Sequence, residues 1–177
     1  MKKFVALLAA LVCLVSFSNA MAQGLTLKDG VLQVGMEIGY PPMEYLAEDG
    51  VTPIGFDIDF SAELGKRLGL TIELVDTAWD GIFASLDADR YDCIISAVSI
   101  TPERQEKYNL TKPYIANKLV LVTAKDLGIK SPEDLAGFRV ATQTETTADV
   151  FMKGKIEAGL AVSDYFVYDK IIQCFDE

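Results

Sequence analysis

The sequence predicts an α/β fold in two units, each a mostly parallel sheet flanked by helices. From Val31 to Arg104, short apolar strands alternate with amphipathic helical segments, the order that builds a parallel sheet with crossover helices. After Tyr114 the chain changes character and a second strand–helix alternation begins. Helix starts in both halves carry a cap, a proline and an acid in the expected places.

Val31 to Met36 reads as the first strand, followed by a turn through Gly39-Tyr40-Pro41-Pro42. A helix is expected from a cap at Asp57 to a stop at Gly69, with Phe60, Leu64 and Leu68 as its buried stripe at steps of four. Leu70 to Val75 is the next strand. A second helix over Trp79–Asp89 would bury Ile82, Phe83 and Leu86. Cys93 to Ala97 is a short apolar strand that leads into Thr101-Pro102-Glu103-Arg104. Thr101 suits an N-cap, Pro102 the first helical position and Glu103 the positive end of the helix dipole. Arg104 in that first turn is electrostatically misplaced unless it meets an anion, and its fork of donors matches a carboxylate in two parallel bonds. A strand end, free N–H groups and a guanidinium at one spot make an anion seat.

Beyond the change of character, Lys118 to Thr123 is β-branched and reads as a strand. Ser131-Pro132-Glu133-Asp134 opens a helix, Phe138 to Thr142 is a strand, and Thr144 to Thr147 leads into a further helix. The crossover between units is expected near Tyr114 to Asn117.

The first residues fall outside this pattern. Lys2 and Lys3 precede an apolar run from Phe4 to Phe17, and Ala20-Met21-Ala22 follows as a small-x-small site. That is the arrangement of a secretory signal peptide, with cleavage expected after Ala22 and an exported product. No later apolar stretch is long enough to cross a bilayer. The chain has 26 acidic against 16 basic residues, and losing Lys2 and Lys3 with the leader would leave 14. Such an acidic surface argues against nucleic acid or anionic lipid as partner. There is no histidine, which removes histidine-based catalysis, and no Cys/His cluster with metal-ligand spacing, so neither a metal nor a cofactor is expected. Cys93 and Cys174, the two cysteines beyond the leader, are expected as buried thiols rather than a disulfide.

An ordered set of motifs resembles the periplasmic solute-binding proteins for polar amino acids that serve ATP-driven importers. The set is Tyr40-Pro41-Pro42-Met43, Gly55-Phe56-Asp57-Ile58-Asp59, Trp79-Asp80-Gly81-Ile82, Tyr91-Asp92-Cys93-Ile94-Ile95, Ser99-Ile100-Thr101-Pro102-Glu103-Arg104, Pro113-Tyr114, and Val140-Ala141-Thr142-Gln143 with Thr146-Thr147. The resemblance implies a monomeric, periplasmic two-lobed clamp that closes on one amino acid in an interlobe cleft and delivers it to a membrane permease. It implies that Arg104 grips the ligand α-carboxylate. Ser99 and the backbone at Ser96 and Ala97 would add polar contacts, and Thr146 and Thr147 would donate to the same carboxylate. Trp79 and Tyr40 match aromatic positions that sandwich the side chain. Glu37 falls where some members carry an acid that reads a basic side chain, and Asp164 is a candidate partner of the ammonium.

Each of these residues also has an ordinary structural reading. Tyr40 and Trp79 serve equally as core or rim aromatics, Glu37 as a solvated strand end, Thr146 and Thr147 as caps, and Asp164 as a helix cap. Two departures stand out. The family usually has glycine where this chain has Glu145, and the second lobe looks shortened, with 167–173 resembling the family's last helix. The expected organisation is therefore a signal peptide over 1–22, a first lobe over 23–115, a shortened second lobe over 116–163 and a C-terminal helix over 164–177 returning to the first lobe. Alternatives to transport are a non-clamping relic or sensing fragment and, on the same scaffold, an exported dehydratase with Glu37, Glu145 or Asp164 as its acid or base.

Overall fold

A computed structural model describes residues 24–124 and 127–176. The expected signal peptide lies outside the described residues. The chain divides into two compact units, one holding the described residues up to Thr77 together with Gly81–Ser96, the other Ala78–Asp80 together with the chain from Ala97 onward. Residues 97–115, expected with the first lobe, thus group with the second unit.

The first unit is built on β1 (Val31–Met36), β4 (Thr71–Asp76) and β5 (Cys93–Ile94), all parallel, with β1 in the middle. Period-2 alternation points Leu32, Val34 and Met36 to one side, where they form the buried core with Ile95. Two short antiparallel strands, β2 (Tyr45–Leu46) and β3 (Pro53–Ile54), form a hairpin that the sequence reading missed. Its turn is held by Asp49, whose Oδ1 accepts from the N–H groups of Val51 and Thr52 at 2.9 Å. The Asp49-Gly50 dipeptide was the available signal.

Helix α1 runs over Phe56–Leu68, with Gly55 and not Asp57 as its N-cap. Gly55 sits at φ 127°, and a Cβ there would lie 2.3 Å from the Met43 carbonyl oxygen, so only glycine can start the helix at this point. Asp57 is thereby moved into the first turn and fully buried. The expected stripe is also corrected: Phe60 and Leu68 are exposed, and only Leu64 packs against the core. The buried face carries Asp57, Ser61 and Gly65. Gly65 touches Ile72 of β4 so closely that any side chain would collide with it. Small residues let this helix approach the sheet closely, while Ile58 and Leu64 pack against the core.

The expected Trp79–Asp89 helix is a 3₁₀ turn over Trp79–Gly81 followed by α2 (Ile82–Asp87), with Ile82 fully buried. In the second unit α3 (Pro102–Lys107) is followed by an irregular stretch, a 3₁₀ turn over Pro132–Leu135, β6 (Arg139–Gln143), α4 (Thr147–Glu157), β7 (Asp164–Tyr168) and a 3₁₀ turn over Ile171–Asp176. Strands β6 and β7 pair in parallel, Arg139 opposite Asp164 through Gln143 opposite Tyr168. Leu135, Val140 and Met152 form this unit's core.

Two expectations fail here. Lys118 to Thr123 forms no strand, and Leu119, Val120, Leu121 and Val122 are exposed. Their β-branched composition is a preference for a pleated, half-buried surface, and without a neighbouring strand it builds nothing. The C-terminal segment expected as a helix contains β7, an integral strand of the second unit's sheet. Cys93 and Cys174 are unbridged and only half-buried. Burial, with a smaller push from Asp92, raises the Cys93 thiol to about 11.

Candidate ligand-binding site

In the second unit the start of α3 is capped as its residue types dictate. Thr101 is the N-cap of α3, its hydroxyl accepting from the Arg104 N–H at 3.3 Å, with Pro102 in the first turn. Arg104 folds back so that Nη1 donates to the Ser99 carbonyl at 3.0 Å. Its guanidinium lies over the Trp79 ring, 5.4 Å from the centroid. Stacking on an indole holds a guanidinium by cation–π attraction and fixes its plane. Burial depresses the Arg104 pKa, and the neighbouring Glu103 carboxylate offsets part of that. A guanidinium is basic enough to stay charged in proteins. Ser99, Trp79 and Arg104 are therefore gathered into one half-buried cluster.

Ala97 precedes this cluster with φ 45°, a left-handed conformation unusual for a residue with a Cβ. Its N–H is held at 3.0 Å by the hydroxyl of Tyr114. Tyr114 thus ties down the Ala97 backbone, a contact that its place in the Pro113-Tyr114 motif and at the expected crossover did not foretell.

A second cluster opens α4. Thr146 is its N-cap, accepting from the Asp149 N–H at 3.2 Å and donating to the Gln143 carbonyl at 2.8 Å. The turn before it is pinned by Asp149, which is fully buried. Asp149 Oδ2 accepts from the Glu145 N–H and from Lys153 Nζ, both at 2.9 Å, and Oδ1 accepts from the Tyr165 hydroxyl at 2.6 Å. Burial raises the Asp149 pKa, but the Lys153 ammonium, the Tyr165 hydroxyl and the Glu145 N–H together outweigh it and leave the carboxyl below its ordinary value. Glu145 is exposed and sits at φ 55°. That backbone conformation accounts for a glycine at this position in the family motif, and it directs the Glu145 side chain into solvent. Thr147 is the first residue of α4. Asp164 is not a helix cap: it opens β7, exposed, in register with Arg139.

The first unit holds Glu37, Tyr40 and Ser96. Glu37 follows β1 and is buried, 7% exposed, rather than solvated. Its N–H donates to Ser96 Oγ at 3.1 Å, and Ser96 in turn donates to Glu44 Oε1 at 2.5 Å. Tyr40 is half-buried, and its backbone is tied to Glu44 by reciprocal hydrogen bonds, Tyr40 N–H to the Glu44 carbonyl at 2.7 Å and Glu44 N–H to the Tyr40 carbonyl at 3.1 Å. Glu44 was not singled out from the sequence, where it is one acid among 26. Among the described residues no group of three or more His, Cys, Asp or Glu side chains is placed to hold a metal ion, and no helix is long and apolar enough to cross a membrane.

These features have a known setting. Residues 32–165 match the model of the bacterial extracellular solute-binding proteins, family 3, and the chain belongs to that family. It is 37% identical over 138 residues to the L-cystine-binding protein TcyJ of Escherichia coli K12, covering 77% of this chain and 51% of TcyJ. It is 32% identical over 153 residues to the ABC transporter arginine-binding protein 1 of the same organism, covering 86% of this chain and 58% of that protein. Among solved structures, the ancestral amino acid-binding protein AncCDT-1, described as a precursor of cyclohexadienyl dehydratase, aligns with a TM-score of 0.76 at 33% identity, over 84% of this chain and 65% of its own. A point mutant of arginine-bound ArgBP from T. maritima aligns at 0.75 with 34% identity, over 84% and 68%. The chain thus spans about half the length of TcyJ, the share its match covers.

Proposed function

We propose that this chain is an amino-acid-binding component of an ABC importer, exported through a leader cleaved after Ala22 and delivering its ligand in the periplasm to a membrane permease. The observation that carries the reading is the Arg104 guanidinium, charged, half-buried and stacked on Trp79 beside the Ser99 carbonyl. A planar fork held in this way meets a carboxylate in two parallel charge-assisted bonds. The Thr147 hydroxyl and the backbone N–H groups of Thr146 and Thr147 offer donors of the same polarity at the opening of α4, the Thr146 hydroxyl being used by the Gln143 carbonyl. Family membership and relatives named for cystine and arginine support an amino acid as the ligand.

Glu37, Tyr40 and Ser96 are the first unit's candidates, with Glu37 the residue for a cationic side chain and Tyr40 for an apolar surface. Ala97 and Asp164 complete the candidate set, Ala97 through its backbone. Binding is favoured over catalysis because two of the three carboxylates available for acid–base work, Glu145 and Asp164, are exposed.

The test is calorimetric titration of the purified chain against the common amino acids, with thermal unfolding run in parallel. One polar amino acid should bind and raise the melting temperature. Arg104→Ala should weaken that binding at least about 100-fold, the loss expected of a buried charge-assisted contact. Glu37→Gln should change the preference among side chains while leaving carboxylate recognition in place. A well-folded chain that binds no amino acid would replace this reading with a non-clamping fragment.

A further inference from the structure

The first unit contains a buried acid cluster that extends beyond its candidate ligand residues Glu37 and Ser96 to Glu44 and Asp57. Glu44, Asp57 and Glu37 are 1%, 0% and 7% exposed, and they come from the Tyr40–Glu44 turn, the first turn of α1 and the end of β1. Ser96, 3% exposed, joins Glu44 to the Glu37 backbone. Glu44 Oε1 takes the Ser96 hydroxyl, while Glu44 Oε2 is fully enclosed and receives no hydrogen from any donor among the described residues. Asp57 is tied to the same turn, its N–H donating to the Met43 carbonyl at 2.8 Å, and its carboxylate is near enough to push the Glu44 carboxyl up. Two ionised carboxylates are acceptors only, so a bond between them requires a proton. Like charges at such a separation in a dry site cannot both persist.

We propose that Glu44 and Asp57 share one bound proton at neutral pH, and that this proton is a pH-sensitive latch fastening the Tyr40–Glu44 turn and the end of β1 to the start of α1. Loss of the proton puts an additional negative charge into an enclosed site beside Asp57 and Glu37, two acids that both act against it. The charge is relieved only by moving the turn apart from the helix or by admitting water. Burial is the largest cause acting on Glu44; the Ser96 hydroxyl opposes it, Asp57 and Glu37 add to it, and the group is pushed up to about 8. The latch belongs to the first unit alone and holds whether or not the chain captures an amino acid.

The sign of the effect follows from linkage. A carboxyl whose pKa is raised on folding binds more protons folded than unfolded, so stability falls as pH rises from its ordinary value through the raised one. The experiment is thermal unfolding of the whole chain from about pH 5 to about pH 9, with Glu44→Gln alongside. The wild type should lose on the order of 5 °C across the upper half of that range. Glu44→Gln, which keeps the shape and supplies the N–H donors that a shared proton would, should lose that slope. Infrared spectra of the wild type should show a protonated-carboxyl C=O band at neutral pH that disappears on titration through the same range. A wild-type melting temperature that is flat or rises over the range, or an infrared spectrum without that band at neutral pH, overturns the proposal. The spectrum decides the matter even if the variant does not fold.

Discussion

The two units each bury a carboxylate at the foot of a turn, and they solve the resulting electrostatic problem in opposite ways. In the second unit Asp149 is surrounded by donors: an ammonium, a phenol and a backbone N–H. In the first, Glu44 meets a single hydroxyl and two further acids. The same functional group is consequently held below its ordinary pKa in one unit and well above it in the other. Burial pushes both upward, so burial does not decide the outcome; the count of donors within reach does. Each arrangement fastens a turn that carries candidate ligand residues, Thr146 and Thr147 in one case, Glu37 and Tyr40 in the other.

The contrast is broken most forcefully at Asp149. Replacing it by alanine leaves the Glu145 N–H and the Tyr165 hydroxyl without their carboxylate and strands Lys153. Removing one member of a buried, multiply bonded charge costs about 3 kcal/mol. Urea unfolding of Asp149→Ala against the wild type measures it, and a loss under about 1 kcal/mol would mean that the network is ornamental to stability.

The pH profile sharpens the same contrast with a smaller effect. Asp149, with its lowered pKa, contributes stability that is present above the ordinary carboxyl value and is lost as pH falls through the lowered one. Glu44 contributes stability that is present at low pH and is lost as pH rises through about 8. The profile should therefore have two limbs belonging to different units. Exposed acids such as Asp49 and Asp134 also have lowered values and share the acid limb, but solvent screens them. Asp149→Asn should shallow the acid limb and leave the alkaline limb intact, and Glu44→Gln should do the reverse. If either variant flattens both limbs, the two carboxylates are not independent.

The sequence made this contrast visible only in part. Strand β1 and the start of α3 were readable because their signals are local: alternation over six residues in one, and a threonine, proline and acid in succession in the other. The acid cluster was not, because Glu37, Glu44, Asp57 and Ser96 are far apart in the chain and meet only through the register of β1 and β5 and the bend at Gly55. The α1 stripe was misread for a related reason. Large apolar residues at steps of four mark a buried face only if the neighbouring sheet leaves room for them, and Gly65 against Ile72 leaves none. Likewise Lys118 to Thr123 has a strand's composition without a strand's partner.

The smallest effect is expected at Glu145, where the second unit's turn departs from the glycine of the family motif. A side-chain-bearing residue at φ 55° gives up roughly 1–2 kcal/mol to backbone crowding. Glycine relieves this but loses more chain entropy on folding, by roughly 0.5–1 kcal/mol. Because the N–H to Asp149 is retained, Glu145→Gly should stabilise the chain by about 0.5 kcal/mol, read as a small rise in the urea midpoint. The substitution also removes a negative charge just before the α4 N-terminus, beside Thr146 and Thr147. If those threonines help to hold a ligand carboxylate, Glu145→Gly should tighten amino acid binding by a few-fold at low salt and less at high salt, since an exposed charge acts only within the screening length. A stability gain with affinity unchanged at every ionic strength would confine the threonine pair to capping and leave Arg104 as the carboxylate's holder.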